Sequence, residues 1–298
     1  MGIVTVIAVC YNQAKWVVEA LDSILQQDYH PIQLIIADDG STDHSKQYIR
    51  EWIHAKAPGT KFLDHPKNLG LTKNINSALP FVEGEYFQVF GCDDRMLPTK
   101  ISSQVKLLSE DPNMGIVYSD MQLIDQEGKE IPGTYYTRHT YKQPFSGNMY
   151  AALIERFIIA APSVLVRRAV LDRLHQYNED LDYEDHDFFL RAAKYFSFLY
   201  QPLPTVQYRV SGSSLSTMPV DELKFYRNSF LIYYQRFDPD AAYRAAFTAK
   251  LLFYTKKLYS LHFRKAGVYF FRAFCKTRKF IFMKYAIASI PFYFSAKK

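Results

Sequence analysis

The chain has 298 residues, 48% of them hydrophobic and 22% charged, with a formal net charge of +6. That length and apolar content supply a full core and exclude a disordered or fibrous chain, and they allow one large domain or two small ones. Its three cysteines, Cys10, Cys92 and Cys275, are far apart and odd in number, which excludes a disulfide framework and a CxxC zinc site and points to a reducing cytoplasm.

Residues 3 to 9 form a continuous apolar run, as expected of a parallel strand covered on both faces. The run has no basic flank and is too short for a signal peptide. Asn12 is placed to cap the helix that follows, whose apolar positions Val17, Ala20, Leu21, Ile24 and Leu25 share one face before Tyr29-His30-Pro31 ends it. Gln33 to Ala37 reads as a second strand, completing a right-handed βαβ unit. It stops in Asp38-Asp39-Gly40-Ser41-Thr42-Asp43. There Asp39 is expected to accept the N3 hydrogen of a uracil or thymine ring, while Tyr11, at the end of the first strand, stacks on the ring. Ser41, Thr42 and Asp43 fit an ordinary turn, with Asp43 capping the next helix.

Phe62-Leu63 makes a short strand, and a helix with a buried face of Ile75, Ala78, Leu79 and Val82 follows the turn at Asn68-Leu69-Gly70. Lys73 and Asn74 open that helix, where a cation and free amides can face a phosphate; plain solvent exposure is the alternative for Lys73. Tyr86 to Phe90 reads as a buried strand whose carboxyl end opens into Cys92-Asp93-Asp94. Open α/β sheets bind ligands at that end. Two adjacent carboxylates repel unless a cation joins them, so Asp93 and Asp94 are candidates for a metal–diphosphate site. An acidic turn capping the helix near Thr99 is the alternative.

Beyond Gly115 come a short strand at Ile116-Val117-Tyr118, a hairpin turn at residues 125 to 129, and an aperiodic Tyr-, Gly- and Pro-rich stretch at 132 to 148. Loops of that length are usually functional or mobile. Residues 161 to 168 form a strand running into a helix. An acidic cluster, Asp180 to Asp187, then leads into another helix carrying Phe188, Phe189 and Leu190. Free amides at the first turn of that helix favour an ionised Asp185 able to take a proton, although ordinary capping predicts the same residue type.

The ordered set Val-Cys-Tyr-Asn at 9 to 12, Asp-Asp-Gly-Ser-Thr-Asp at 38 to 43, Asn68-Leu69-Gly70, Gly84-Glu85-Tyr86, Cys92-Asp93-Asp94, Glu184-Asp185-His186-Asp187 with Leu190-Arg191, and Tyr208-Arg209 resembles the inverting glycosyltransferases of family 2. The resemblance covers residues 3 to about 216. It implies the GT-A fold, a Rossmann-like, mostly parallel α/β sheet with flanking helices, and transfer with inversion at the anomeric carbon. Tyr11 and Asp39 would hold the nucleobase, Asp94 the metal directly, and Asp93 the ribose or a metal-bound water. Asp185 would be the general base, and Mg²⁺ or Mn²⁺ the cofactor. Glu184 and His186 would flank the acceptor or support the base. The sequence departs from the family pattern at Gly91, where another acid is common, and at Ser211, where a histidine is common; His186 is a candidate to complete the metal shell.

Residues 1 to 220 are expected to form this catalytic domain and residues 221 to 298 a basic, aromatic helical extension. The extension carries 16 Lys and Arg against 4 Asp and Glu, a net of +12, which leaves −6 for the first 220 residues. Helices are expected over 223 to 237, over 241 to about 262, and from 264 onward. Phe280 to Phe294 is interrupted by Lys284 and Pro291 and is too short to span a bilayer. Aromatic and apolar residues interleaved with Lys and Arg between 264 and 298 suit an anionic membrane surface. Packing on the catalytic body, or on a second copy in a homodimer, is the alternative; no nucleic-acid recognition motif is present.

The expected partners are a UDP- or dTDP-sugar donor and a glycan or lipid-linked acceptor of surface polysaccharide, met at the inner face of the plasma membrane. A degenerate transferase kept as a glycan-binding or assembly subunit is the non-enzymatic alternative. A nucleotidyltransferase would need a glycine-rich basic loop after the first strand, and Cys10-Tyr11-Asn12-Gln13 is not one.

Overall fold

The computed structural model describes residues 2–140, 143–210 and 221–291. The chain divides into two compact units, Met1–Gly212 and Ser213–Lys298.

In the first unit the strands β1 (Val4–Cys10), β2 (Ile32–Asp38), β3 (Lys61–Asp64) and β4 (Tyr86–Gly91) are linked by the helices α1 (Val17–Leu25), α2 (Ser45–Lys56) and α3 (Leu71–Ala78). They run parallel in the order β3-β2-β1-β4. The apolar run of β1 is legible because both its faces are covered, Val4, Val6, Ile7 and Ala8 being fully buried. α3 ends at Ala78, and Leu79–Phe81 continues as one 3₁₀ turn.

The chain continues through β5 (Arg95–Met96), α4 (Lys100–Glu110), β6 (Met114–Ile124), β7 (Glu130–Thr134), α5 (Tyr135–Arg138), α6 (Tyr150–Glu155), β8 (Leu165–Arg167), α7 (Arg168–Leu174), α8 (Asp185–Ala192) and β9 (Ser197–Arg209). β8 lies antiparallel between β4 and β6, and β6 runs parallel to β9. Six strands therefore point the same way, and β5, β7 and β8 oppose them.

Alternation along β4 separates the two helical layers. Phe87 meets Phe188 of α8 edge-on, ring centroids 6.4 Å apart. Its neighbour Gln88 accepts a hydrogen bond from Lys100 of α4 at 2.7 Å. Lys100 is fully buried and surrounded by four oxygen acceptors, on Gln88, Gln104, Ser163 and Val164. Desolvation lowers its affinity for a proton.

β6 is much longer than the three residues expected, because Ser119, Asp120 and Gln122 break the apolar run while remaining inside the sheet. Two tyrosine hydroxyls tie down described residues in and after the aperiodic stretch. Tyr118 Oη donates to the Phe145 carbonyl at 2.8 Å and accepts from the Phe145 amide at 3.0 Å. Tyr136 Oη donates to Ile158 at 2.8 Å and accepts from Ala160 at 3.1 Å.

Gly40 fixes the loop after β2. Its φ is +74°, and a β-carbon there would run into the backbone of Lys67 and Asn68. Gly40→Ala is expected to destabilise the protein by about 2 kcal/mol or more, read as a shifted denaturant midpoint at unchanged m-value.

The second unit contains α9 (Glu222–Gln235), α10 (Ala241–Ser260), α11 (Ala266–Thr277) and α12 (Phe280–Ala288). Asp221 and Asp240 cap α9 and α10, and the apolar residues between helices are largely aromatic. Tyr233 stacks on Tyr254 at 5.5 Å and Phe270 on Tyr285 at 5.1 Å. Among the described residues no helix is long and apolar enough to cross a membrane.

Candidate functional site

The parallel strands end on one edge, and the loops that follow are tied to one another. Asn12 does not cap α1, which begins beyond Trp16. It adopts a left-handed backbone with φ +53°, and its side-chain oxygen accepts from the Thr42 amide at 2.8 Å. Its own amide donates to Ser41 Oγ at 2.8 Å. Sequence pattern could not separate this tie from a cap, because both use a short polar side chain that accepts from backbone amides.

Asp38 is fully buried and absorbed by its own loop, accepting from the Ser41 amide and hydroxyl. Asp43 accepts from Ser45 and Ala14. Burial works against its ionisation, but these bonds prevail and hold its carboxyl below the ordinary value.

Asp39, 4% exposed, accepts from the Leu69 amide at 2.7 Å and the Gly70 amide at 3.1 Å. Burial raises its carboxyl pKa against the pull of those two amides. Each oxygen keeps a second lone pair. Tyr11, just beyond β1, is 46% exposed, as a stacking platform requires. Lys73 is exposed on α3, whereas Asn74 is buried and donates to the Ala37 carbonyl at 3.0 Å, so it is structural.

Asp93 and Asp94 follow β4, beside the end of β1, where the Cys92 amide bonds the Val9 carbonyl at 3.0 Å. Asp94 is 2% exposed, and its Oδ1 accepts from the Arg209 amide at 2.8 Å. Burial raises the carboxyl pKa of both, and repulsion from Asp93 adds to the rise at Asp94. Gly91 leaves room for this arrangement, since a β-carbon there would stand 2.7 Å from Asp93 Oδ1.

These residues fit a cation that arrives with its substrate. Gln13 hydrogen-bonds Asp93, yet Gln13 Oε1 is buried without a hydrogen-bond partner, an oxygen suited to a hard cation. Among the described residues no three His, Cys, Asp or Glu side chains form a metal cluster. Mg²⁺-type sites commonly pair one or two carboxylates with substrate phosphates. His186 has one ring nitrogen engaged within the protein. Its Nε2 donates to the Leu153 carbonyl at 2.9 Å, which occupies that nitrogen, and its ring lies 5.3 Å from that of Phe157. Ser211 lies outside the described residues.

Arg209 is the side chain whose role the sequence concealed. It is 1% exposed and lies over the Trp16 ring at 5.4 Å. Its Nε donates to the Asp93 carbonyl at 2.8 Å, Nη1 to Asp125 at 2.9 Å and Gln126 at 3.1 Å, and Nη2 to Glu19 at 2.7 Å. Glu19 also accepts from Arg95 at 2.8 Å. One planar guanidinium thus joins the acidic loop, the β6–β7 turn and α1, a fork a lysine cannot supply. Arg209→Met should cost about 3 kcal/mol, because the part-buried Asp93 and Asp125 carbonyls lose a donor and the buried end of Glu19's ion pair is removed; thermal or urea melts check it.

Asp185 is the first residue of α8, half-buried, and accepts from the His186 amide at 2.6 Å. The chain before it is fastened to α3: Thr72 Oγ1 donates to Leu181 at 2.8 Å, and Asn76 exchanges hydrogen bonds with Tyr177 at 2.9 Å each way. Since α3 starts at the amide held by Asp39, α3 bridges the Asp39 loop and the segment leading to Asp185. Asp187 is fully buried and pairs with Arg191 at 2.8 Å, so it belongs to the scaffold.

Glu184 is held protonated near neutrality: burial, then the neighbouring charge of Asp185, push its pKa up to about 8. The folded state therefore binds this proton more tightly than an unfolded glutamate of pKa about 4.3. That stabilisation is complete below the unfolded value and is lost as pH rises through about 8. Glu184→Gln should flatten this decline, leaving the variant more stable than wild type at alkaline pH, as read by chemical denaturation across the window.

The comparisons agree with this geometry. Residues 5–174, more than half of the chain, match the family model described as "Glycosyl transferase family 2". A protein of Haemophilus influenzae described as an uncharacterized glycosyltransferase is 26% identical over 220 residues, covering 72% of this chain and 68% of its own length. One from Rickettsia typhi is 26% identical over 230 residues, covering 75% and 69%.

Among solved structures, residues 1–349 of S. aureus TarS in complex with UDP-GlcNAc superpose with a TM-score of 0.67 at 19% identity, covering 96% of this chain and 87% of that one. The mannosyltransferase PcManGT from Pyrobaculum calidifontis, in complex with GDP-Man and Mn²⁺, gives 0.63 at 18% identity, covering 98% and 82%. With the mostly parallel sheet and the acidic loops at its carboxyl edge, the family match identifies the chain as a glycosyltransferase of family 2 with the GT-A fold.

Proposed function

We propose that this transferase moves a sugar from a UDP- or dTDP-sugar to a hydroxyl of a glycan or lipid-linked acceptor, inverting the anomeric configuration, in surface-polysaccharide synthesis at the cytoplasmic face of a membrane. The observation that carries the reading is the gathering of Tyr11, Asp39, Asp93 and Asp94 on the carboxyl edge of one parallel sheet, where α/β folds take their ligands.

Tyr11 stacks on the base and Asp39 accepts its N3 hydrogen. Asp93 and Asp94, with the Gln13 amide oxygen near Asp93, would hold Mg²⁺ or Mn²⁺, and Lys73 offers a cation to the phosphates. Such a cation, when held there, would supply positive charge to the departing diphosphate. Asp185 takes the proton of the acceptor hydroxyl as that oxygen attacks the anomeric carbon. A protonated Glu184 beside it keeps a second negative charge away from the base, while His186 anchors the first turn of α8 to Leu153.

The reading is tested with purified protein, a panel of UDP-, dTDP- and GDP-sugars, product mass, and the anomeric proton coupling of the product. Inverted product from a uridine or thymidine donor is expected. Retained configuration would contradict the single displacement, and nucleotide binding with no turnover on any acceptor would favour the assembly-subunit alternative.

A further inference from the structure

The second unit exposes large apolar side chains where a water-soluble helical surface would be polar. In α11 the residues Ala266, Tyr269, Phe270 and Ala273 are buried, which turns Val268, Phe271, Arg272 and Lys276 outward. Val268 is 43% and Phe271 51% exposed. In α12 Phe282 is buried, and Phe280, Ile281, Lys284 and Ile287 face out, Phe280 at 81% and Ile287 at 61%. Ile290, just past the helix, is 54% exposed.

The two helices are fastened to each other by Phe270 stacked on Tyr285 at 5.1 Å, and by Phe274 against Phe280 at 5.8 Å. These outward residues are therefore carried by packed helices rather than by a loose tail. Scattered single apolar residues on a surface need no explanation, but this many on two adjoining helices do.

Charge selects the occupant. Arg272, Lys276, Arg278, Lys279 and Lys284 are all exposed among these apolar residues, and no Asp or Glu follows Asp240 in the sequence. A second copy would bring the same positive charge to the same face and be repelled. α12 has nine residues, about 13 Å of helix, against a hydrocarbon core of about 30 Å, so it is too short to cross a bilayer. Phenylalanine and isoleucine inserted among lysines and arginines are what a helix lying at an anionic headgroup layer requires.

We propose that the outward stripes of α11 and α12 form a docking face for an anionic lipid bilayer. The inference deepens the proposed function and rests on it for the reason a transferase would sit there, namely delivery to a lipid-linked acceptor. The binding itself is measured without turnover.

The test is co-sedimentation of the full chain with vesicles of phosphatidylcholine alone, or of equal parts phosphatidylcholine and phosphatidylglycerol, in low and high salt. Nucleotide binding is measured on the same preparation, so that failure of the transferase reading is seen separately. Wild type should bind the anionic vesicles, ignore the neutral ones, and release in high salt.

The double variant Phe280→Glu, Ile287→Glu should lower the partition coefficient at least about tenfold. The surface-charge variant Arg278→Glu, Lys279→Glu, Lys284→Glu, which disturbs no packed residue, should do the same. Nucleotide binding should be unchanged in both. Equal binding to neutral vesicles, no binding by wild type, or undiminished binding by the charge variant overturns the proposal. So does a stable dimer in light scattering that the Phe280→Glu, Ile287→Glu variant converts to monomer.

Discussion

Asp185→Asn is expected to reduce sugar transfer by about 10²- to 10⁴-fold, the range of a general base, while nucleotide affinity stays within about twofold of wild type. The substitution is nearly isosteric, and the asparagine oxygen can still accept the His186 amide that now donates to Asp185 Oδ1 at 2.6 Å. The first turn of α8 is also held from outside, through Leu153 and through the Thr72 and Asn76 bonds to the preceding segment. What is lost is a site for the acceptor proton. Single-turnover transfer and calorimetric nucleotide binding on one preparation read the two effects separately; unchanged transfer would remove Asp185 from the chemistry.

The second large effect belongs to Asp94. Asp94→Asn preserves a side-chain oxygen for the Arg209 amide, so the loop should keep its shape and the protein its melting temperature. It removes one of two neighbouring charges whose mutual repulsion, added to burial, raises the carboxyl pKa of Asp94. A cation and its diphosphate relieve that repulsion, and with half the charge gone their affinity falls. A rise of roughly 100-fold in the Mn²⁺ or Mg²⁺ concentration needed for half-maximal transfer is expected, in line with the sensitivity of metal sites to their ligand shell. An unchanged metal requirement would place the ion elsewhere.

Much of this arrangement was legible before any coordinates. β1, β2 and β4 are mostly apolar runs, interrupted only by Thr5, Gln33 and Gln88, and each ends in a polar loop that marks the carboxyl edge. The helices expected over 223 to 237 and 241 to about 262 match α9 and α10, whereas the stretch from 264 onward divides into α11 and α12 at Arg278, which adopts a left-handed backbone. β9 was not legible: Gln201-Pro202-Leu203-Pro204 in its middle reads as a break, and its pairing with β6 shifts register in the same region. Nor could spacing separate Asp38 from Asp39. One carboxylate is spent on Ser41 and the other on Leu69 and Gly70, a choice made by tertiary contacts 30 residues away. Arg209 stood in the sequence only as part of the Tyr208-Arg209 signature, with no structural role attached to its side chain. Its three partner segments are far apart in sequence, and no local pattern reports a convergence of that kind.

The central claim is that a nucleoside diphosphate sits on the carboxyl edge of the sheet with its charge met by a divalent cation that Asp93 and Asp94 hold. Calorimetric titration of UDP into the full chain, once with Mn²⁺ and once with chelator, tests it most directly. The account predicts saturable one-to-one binding with Mn²⁺ that weakens by at least about tenfold with chelator. Equal affinity in the two titrations, or no binding in either, would contradict it.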